Sequence, residues 1–328
     1  MALILLYHRV AEPETDPQQL CVSGRNFEEH LAVIQKHCKP LSMTALLQGM
    51  TSGAIPSNGI ALTFDDGYAD NLHTALPKLS RYGIPAAFYV TAGQIDRREE
   101  FWWDAVEDLL LSPRDLSPHF HTAVAEGEIA FDLGSSAYDD CGCFTGHRHW
   151  HIFDPAVHPR QAAYLKLCDF IRPLSAESQV TILRRLCAWA GCNLPARETH
   201  RALTADDLEQ MATSGLADIG CHAMTHTILA RCAGGCQREE IEGSRSLIEK
   251  IIKRPVTGFS YPFGSVHDYD ALTLGILKAN GFTHACANFT GRVRWDTDPF
   301  QLPRMIVRNW SGAHFNAKLQ QWFGLDAQ

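Results

Sequence analysis

Two adjacent carboxylates, Asp65 and Asp66, end the apolar run Ile60-Ala-Leu-Thr-Phe64 in the stretch LTFDDGYADN. Like charges side by side repel, and a strand gains nothing by ending this way; a nearby cation would make the pair tolerable. A second set of chemistry-bearing residues, His222 and His226, lies in IGCHAMTH. Four-residue spacing on a helical turn puts both imidazoles on one face, where they can hold one metal ion. Two histidines and a carboxylate, with positions left for water and substrate, are a typical catalytic donor set for zinc or a similar divalent ion. Taken singly, a DD at a turn reads as a helix cap and an HxxxH as two surface or capping histidines. Their joint occurrence at two strand ends is what points to chemistry.

These residues depend on the elements that carry them. ALILLYH reads as a strand and Phe27 to His37 has helical apolar spacing. GIALTFDDG is a second strand with a turn, Ala69 to Tyr82 a helix leading to Gly83, and IPAAFYVTAG a third strand. Strands alternating with helices across short turns imply a parallel sheet, open or closed into a barrel. From about 96 to 200 the pattern changes. FWWDAVEDLLL and ESQVTILRRLCAWAG read as helices, whereas 134–158 is rich in Gly, Cys, His and aromatics without clear periodicity. This is an insertion rather than an independent domain.

The regular pattern then resumes. TADDLEQMATSG is a helix capped by Thr204, followed by the strand LADIGCH and the amphipathic helix CQREEIEGSRSLIEKIIK. VTGFSYPFG, DALTLGILKANG, FTHACAN, LPRMIVRNW and AHFNAKLQQWFG continue as strand, helix, strand, strand and helix. The expectation is one α/β domain, 1–328, interrupted once. In such sheets functional groups collect at the carboxyl ends of strands. Four of those ends carry unusual polar residues: His8, Asp65-Asp66, His222 and the SYPFG turn.

Composition narrows the function class. Apolar content of 45% and charged content of 20% over 328 residues are ordinary for a globular protein. A net charge of −8 argues against a general nucleic-acid or anionic-membrane binder, which needs basic surface. It leaves room for an anionic substrate held by local arginines. The start, MALILLYHRVAEPE, has an apolar stretch of only about six residues, with no basic n-region or small-residue cleavage site. It reads as a strand, no segment is long enough to span a bilayer, and the expectation is a cytoplasmic protein. Eleven cysteines, an odd number, read as reduced thiols. The close pairs Cys141-Gly-Cys143 and Cys232-x3-Cys236 lack a second pair at zinc-ribbon spacing.

LTFDDG, IGCHAMTH and FSYPFG, in this order and at strand ends, resemble the first three signatures of the NodB-type polysaccharide deacetylases, carbohydrate esterase family 4. The resemblance extends over most of 1–95 and 200–325 and leaves the insertion outside. It implies an α/β fold, a distorted (β/α)7 barrel with a long, partly helical insertion at about 96–200 after the third strand. It also implies metal-dependent hydrolysis of an N-acetyl amide on an amino sugar. Carried over residue by residue, Asp66, His222 and His226 hold the ion: zinc first, with cobalt or nickel as alternatives. Asp65 is the general base, and the backbone N–H of Phe263 is the donor to the tetrahedral oxyanion. Pro262 and Gly264 would fix that turn, with Tyr261 and Pro262 on the substrate side.

Two departures from the family pattern stand out. The third motif usually begins with an arginine that orients the base; this chain has Ser260, and Arg304 in LPRMIV could bring a guanidinium from another direction or form an unrelated salt bridge. The last motif commonly ends in a histidine acid, and LPRMIVRNW has none. An amine anion is too poor a leaving group to depart unprotonated, so another acid is expected. His8 in YHRV, at the end of the first strand, is the best candidate, against a core histidine; His267 and His314 are weaker.

Other residues keep two readings. Trp102, Trp103 and Asp104 open the insertion and either stack on a sugar face or bury the insertion. Asp70 and Asn71 bind a sugar hydroxyl or begin a helix. His147-Arg148-His149-Trp150-His151 is a solvated loop, a second metal site or an anion patch. The substrate partner is an N-acetylated sugar or glycan. The rival readings are a cyclic-amide or deformylating hydrolase on the same barrel, and a degenerate glycan-binding module.

Overall fold

A computed structural model describes residues 1–138 and 146–324. Its chain divides into two compact units, one of Met1–Glu12, Leu20–Asp96 and Ala202–Gln328, the other of Pro13–Gln19 and Arg97–Arg201. In the first unit eight strands form one parallel sheet: β1 (Ala2–Tyr7), β2 (Lys39–Pro40), β3 (Gly59–Phe64), β4 (Ala86–Val90), β5 (Ala217–Cys221), β6 (Gly258–Ser260), β7 (His284–Cys286) and β8 (Met305–Ile306). The order is β7-β6-β5-β4-β3-β1-β8, with β2 beside the start of β3. Leu302 bridges to Cys286 of β7, and three residues later β8 pairs with Leu5 and Leu6 of β1. One short segment therefore joins the two ends of the sheet. This is the distorted parallel (β/α) barrel expected from the sequence.

Side chains alternate across a strand, and here the two faces carry different chemistry. Leu3, Leu5, Tyr7, Ile60, Leu62, Phe64, Phe88, Val90, Cys221 and Phe259 pack outward with the helices in one large core. Ala2, Ile4, Ala61, Ala87, Tyr89 and Cys286 belong to a second, smaller core with Leu302. On β3 the inward set Ala61, Thr63, Asp65 begins small and apolar and ends charged. By the same period of two, His8, His222 and Ser260 follow outward residues and fall on the inner face. Because both faces are covered, β1, β3 and β4 are buried along their whole length, as in other parallel sheets.

The helices start and stop where their caps dictate. Ser23 accepts from the Asn26 N–H, so the first helix begins at Gly24 rather than Phe27. Thr204 and Asp207 form a reciprocal capping box for Ala205–Ala212. Two segments expected as uninterrupted helices contain a widened i→i+5 turn: Asn71–Ala75 before Leu76–Tyr82, and Glu239–Gly243 before Ser244–Ile252. The helix Met43–Ser52, capped by Ser42 and closed by left-handed Gly53, and the short β2 were not legible as elements beforehand.

The second unit combines helices Trp102–Leu111, Pro159–Ile171 and Ala176–Ala190 with the antiparallel hairpin His119–Val124/Gly127–Asp132. The hairpin's alternation, with Phe120 and Thr122 buried and His119, His121 and Ala123 exposed, is the period-two signal. Phe120, Phe131 and Trp189 pack ring on ring. Buried Arg160 donates to the carbonyls of Ser136, Leu110, Ser112, Arg114 and Ala137. Arg197 binds Glu100 through two nitrogens and lies 2.7 Å from Glu107. Among the described residues no helix is long and apolar enough to cross a membrane.

One buried base in the first unit makes stability pH-dependent. The His30 Nε2 hydrogen-bonds the Trp310 carbonyl at 2.7 Å and Nδ1 faces the Tyr7 hydroxyl at 3.3 Å, which suits a neutral ring. Burial pushes its pKa down to about 4. The unfolded chain takes up a proton near pH ~6.5 that the folded chain refuses. His30 therefore contributes stability above that pH that is lost as pH falls toward 4, about 2 kcal/mol between pH 7 and pH 5. Urea denaturation of the metal-free protein should show this slope, and His30→Gln should reduce it; an unchanged slope would exclude His30 as a source.

Candidate metal centre

The inner face converges at the carboxyl ends of β3, β5 and β6. Asp65 follows β3 in extended continuation, its N–H donating to the Tyr7 carbonyl. The chain then turns sharply: Asp66 has φ +71° and Gly67 φ +86°. That turn redirects Asp66, so the two neighbouring carboxylates serve different places. A Cβ on Gly67 would lie 2.8 Å from a Val90 methyl, so this turn also needs glycine for its space.

Asp66 meets both histidines. Its Oδ1 lies 3.5 Å from His222 Nε2 and 3.4 Å from His226 Nε2, and the two imidazole centroids are 4.8 Å apart. One donor atom from each of Asp66, His222 and His226 falls within 4.8 Å of the others, and all three residues are buried. Among the described residues no other group of three His, Cys, Asp or Glu side chains is so arranged. The pair does not sit on a regular helical turn. Ala223 and His226 both adopt left-handed backbone, φ +60° and +59°, and the loop between them brings the rings together.

This donor set fits a divalent cation. His222 Nδ1 lies 2.8 Å from the Ser260 carbonyl, which fixes the N–H on that nitrogen and leaves the Nε2 lone pair facing Asp66. Burial pushes the His222 pKa down to about 4, against the opposing charge of Asp65, so the ring is neutral at physiological pH. Asp66 is ionised: burial would raise its carboxyl, but the His226 hydrogen bond and the neighbouring imidazoles hold it below the ordinary value. Two imidazole nitrogens and one carboxylate are the set that zinc and similar ions take.

Asp65, whose Oδ2 lies 3.9 Å from His222 Nε2, is bound by Arg304. The guanidinium is buried and spans the carboxylate, Nη1 to Oδ1 at 2.8 Å and Nη2 to Oδ2 at 2.7 Å. Its remaining donors reach Thr63 Oγ1 at 3.2 Å, Ser260 Oγ at 2.9 Å and the Ala287 carbonyl at 2.8 Å. All five N–H donors are thereby used. The Ser260 hydroxyl donates to Asp65 Oδ2 at 3.0 Å. Burial alone would raise the Asp65 carboxyl; the Arg304 guanidinium, then His222, overcome it and keep the group far below the usual carboxylate range. Ser260, at the position where the sequence lacks an arginine, and Arg304 thus both bind Asp65. The sequence pattern does not mark Thr63 or the Ser260 hydroxyl as partners of Asp65, though Thr63 stands two residues before it on the same strand face.

His8 lies close enough to Asp66 and Asp65 for their charges to raise its pKa, but burial outweighs them and lowers it. Asp70 and Asn71 brace its loop. Asp70 accepts from Arg9 Nε and the Val10 N–H, both at 3.0 Å, and the buried Asn71 amide donates to the His8 carbonyl at 2.8 Å. Phe263 has left-handed backbone, φ +60°, and its ring meets His226 edge-on at 4.7 Å. Tyr261 packs into the outer core, its hydroxyl donating to the Phe300 carbonyl and its ring stacked on Tyr269 at 3.9 Å. Pro262 beside it is buried, whereas His267 and His314 are exposed.

Within the second unit Trp102, Trp103 and Asp104 are all buried. Trp103 stacks on Phe101 at 4.7 Å and meets Trp102 at 5.3 Å. His147, expected in a solvated loop, is instead buried against His158 at 4.7 Å, because Gln161 of the following helix approaches its Nδ1 at 3.3 Å. Cys141 and Cys143 lie outside the described residues. Cys232 is half-buried and Cys236 exposed.

Comparison with known proteins agrees with this architecture. The sequence profile of the polysaccharide deacetylases matches residues 53–123 and 189–285. YxkH of Bacillus subtilis, whose name assigns it to the polysaccharide deacetylases, is 26% identical over 108 residues, 32% of this chain and 37% of that protein. The match therefore spans little more than a third of that relative. Among solved structures, the Streptococcus pyogenes deacetylase PplD in complex with acetate superposes with a TM-score of 0.59 at 15% identity, covering 97% of both chains. IcaB from Ammonifex degensii does so with a TM-score of 0.59 at 16% identity, again over 97% of both. At such identities these structures speak for the fold. The profile, which spans half of the chain and takes in TFDDG, the histidine pair and SYPFG, establishes that the chain belongs to the polysaccharide deacetylase family.

Proposed function

We propose that this protein is a metal-dependent hydrolase that removes the N-acetyl group from an N-acetylhexosamine unit of a glycan or glycan precursor, releasing acetate. The observation that carries the reading is the convergence of Asp66, His222 and His226 beside a carboxylate, Asp65, kept ionised by a buried arginine. Asp66, His222 and His226 would hold the ion, zinc first, with cobalt or nickel as alternatives. When bound, a divalent cation supplies Lewis acidity toward a water molecule and an amide carbonyl oxygen.

The chain's own residues then divide the work. Asp65 accepts the proton of the water that adds to the carbonyl carbon. Arg304 and Ser260 orient its carboxylate and keep it a base. The Phe263 N–H is assigned to the developing oxyanion. His8 gives a proton to the nitrogen as the C–N bond breaks, so that a neutral amine and acetate leave. Asp70 and Asn71 act by holding the His8 loop, and we assign no sugar contact to the buried Trp102, Trp103, Asp104, Tyr261 or Pro262.

Acetate release from a panel of N-acetylated glycans and nucleotide sugars tests the reading. Activity should require added zinc, cobalt or nickel, vanish on chelation, and be abolished in Asp65→Asn. Release of no acetate by metal-loaded protein from any substrate would overturn it. His8→Ala should retain metal binding yet lose ~10²–10⁴-fold in kcat, the usual contribution of a positioned acid; undiminished turnover would remove His8 as the proton donor. Arg304→Met leaves the Asp65 charge buried and unpaired, and should cost about 3–5 kcal/mol of stability at neutral pH. Denaturant titration that finds less than about 1 kcal/mol would show that Asp65 is solvated or neutralised in another way.

A further inference from the structure

The loop between the two histidines is held from both sides. On one side, the Ala92 and Gly93 N–H groups donate to the carbonyls of Ala223 and Met224 at 3.0 and 2.8 Å. Gly93 has no room for a Cβ, which would run into the Met224 carbonyl oxygen. On the other side stands a single carboxylate, Glu240, 7% exposed. Its Oε2 accepts from the Met224 and Thr225 N–H groups at 2.9 and 2.8 Å, and its Oε1 from the Thr225 hydroxyl at 2.6 Å.

We propose that Glu240 is a positioning residue for the metal-ligating pair: it holds the 223–225 loop in the conformation that brings His222 and His226 onto one ion. This rests on the assignment of Asp66, His222 and His226 as metal ligands. The loop needs such a clamp because both of its ends, Ala223 and His226, are left-handed non-glycine residues, a conformation that persists only when its surroundings over-determine it. Without the carboxylate, the Met224 and Thr225 N–H groups lose their acceptor, and the loop is free to relax toward ordinary backbone. His226 depends on this most, since His222 continues β5 and is fixed by its own N–H to the Val90 carbonyl. Glu240 lies in the widened turn Glu239–Gly243, where the extra residue per turn offsets its side chain from the regular helical rows on either side.

Cobalt(II) titration of the metal-free full-length protein, read by visible absorption, tests this without reference to catalysis. Glu240→Ala should weaken cobalt binding ~10- to 100-fold, the range for lost supporting contacts at metal sites. Glu240→Gln, which keeps an acceptor oxygen in reach, should recover most of it, whereas Glu240→Asp, which keeps the charge and loses the reach, should not. Glu29→Ala serves as control, since it removes a carboxylate from another backbone N–H, that of Gly312, and should leave cobalt affinity unchanged. Wild-type affinity in a folded Glu240→Ala, or equal weakening in Glu29→Ala, would overturn the assignment. If Glu240→Ala does not fold, the aspartate and glutamine variants decide: equal affinity for the two would overturn it. Absence of cobalt binding in the wild type would overturn the metal site itself.

Discussion

A charge pair that water does not reach organises this barrel. Arg304 and Asp65 are both buried, and desolvating either alone would be prohibitive. Together they are sustained by geometry: two parallel N–H···O contacts, a hydroxyl from Ser260 and no unused guanidinium donor. The partners come from β3, β6, the segment after β7 and the segment before β8, so satisfying one arginine ties together strands remote in sequence. The same contacts set the chemistry. A carboxylate locked to a guanidinium stays ionised and points one way, which is what a base beside a cation site requires. Ser260 extends the link, because its hydroxyl serves Asp65 while its carbonyl takes the His222 Nδ1 hydrogen bond.

Around this pair the chain adopts conformations it would otherwise avoid. Asp66, Ala223, His226 and Phe263 all have positive φ without being glycine. Each lies in a segment that follows the carboxyl end of β3, β5 or β6. Left-handed backbone costs ordinary residues roughly 1–2 kcal/mol each, and the surrounding structure offsets it. Two widened helical turns contribute to that offset. Asn71, in one, fixes the His8 carbonyl; Glu240, in the other, fixes the histidine loop. In both, a helix gives up regularity and delivers a buried polar side chain to backbone near the site.

The sequence by itself determined a good deal. Apolar runs separated by helical periodicity specify a parallel α/β sheet, since only strands covered on both faces are apolar at every position. Strict alternation on each strand then decides which residues share the inner face, so Asp65, His222, Ser260 and His8 could be grouped by counting. The chemistry of DD and HxxxH at strand ends was legible for the same reason. Arg304 was identifiable as a candidate by its type and its place beside the last strand, and Ser260 by what it replaces.

Tertiary structure decided what counting could not. Whether Arg304 meets Asp65 depends on how the sheet ends are brought together by the two-residue β8, a long-range closure that no local pattern encodes. The interrupted helices were not visible, because a widened turn keeps helical composition and changes only the phase. Glu240 looked like one of several acidic residues on an amphipathic helix; only the fold places its carboxylate under the histidine loop. His147 likewise looked like part of a polar surface run until the following helix covered it. The sequence fixes which groups are available and on which strand face they lie, through local sterics and burial. Which groups meet, and which charges lose water, is a property of packing between segments as distant as Asp65 and Arg304, 239 residues apart.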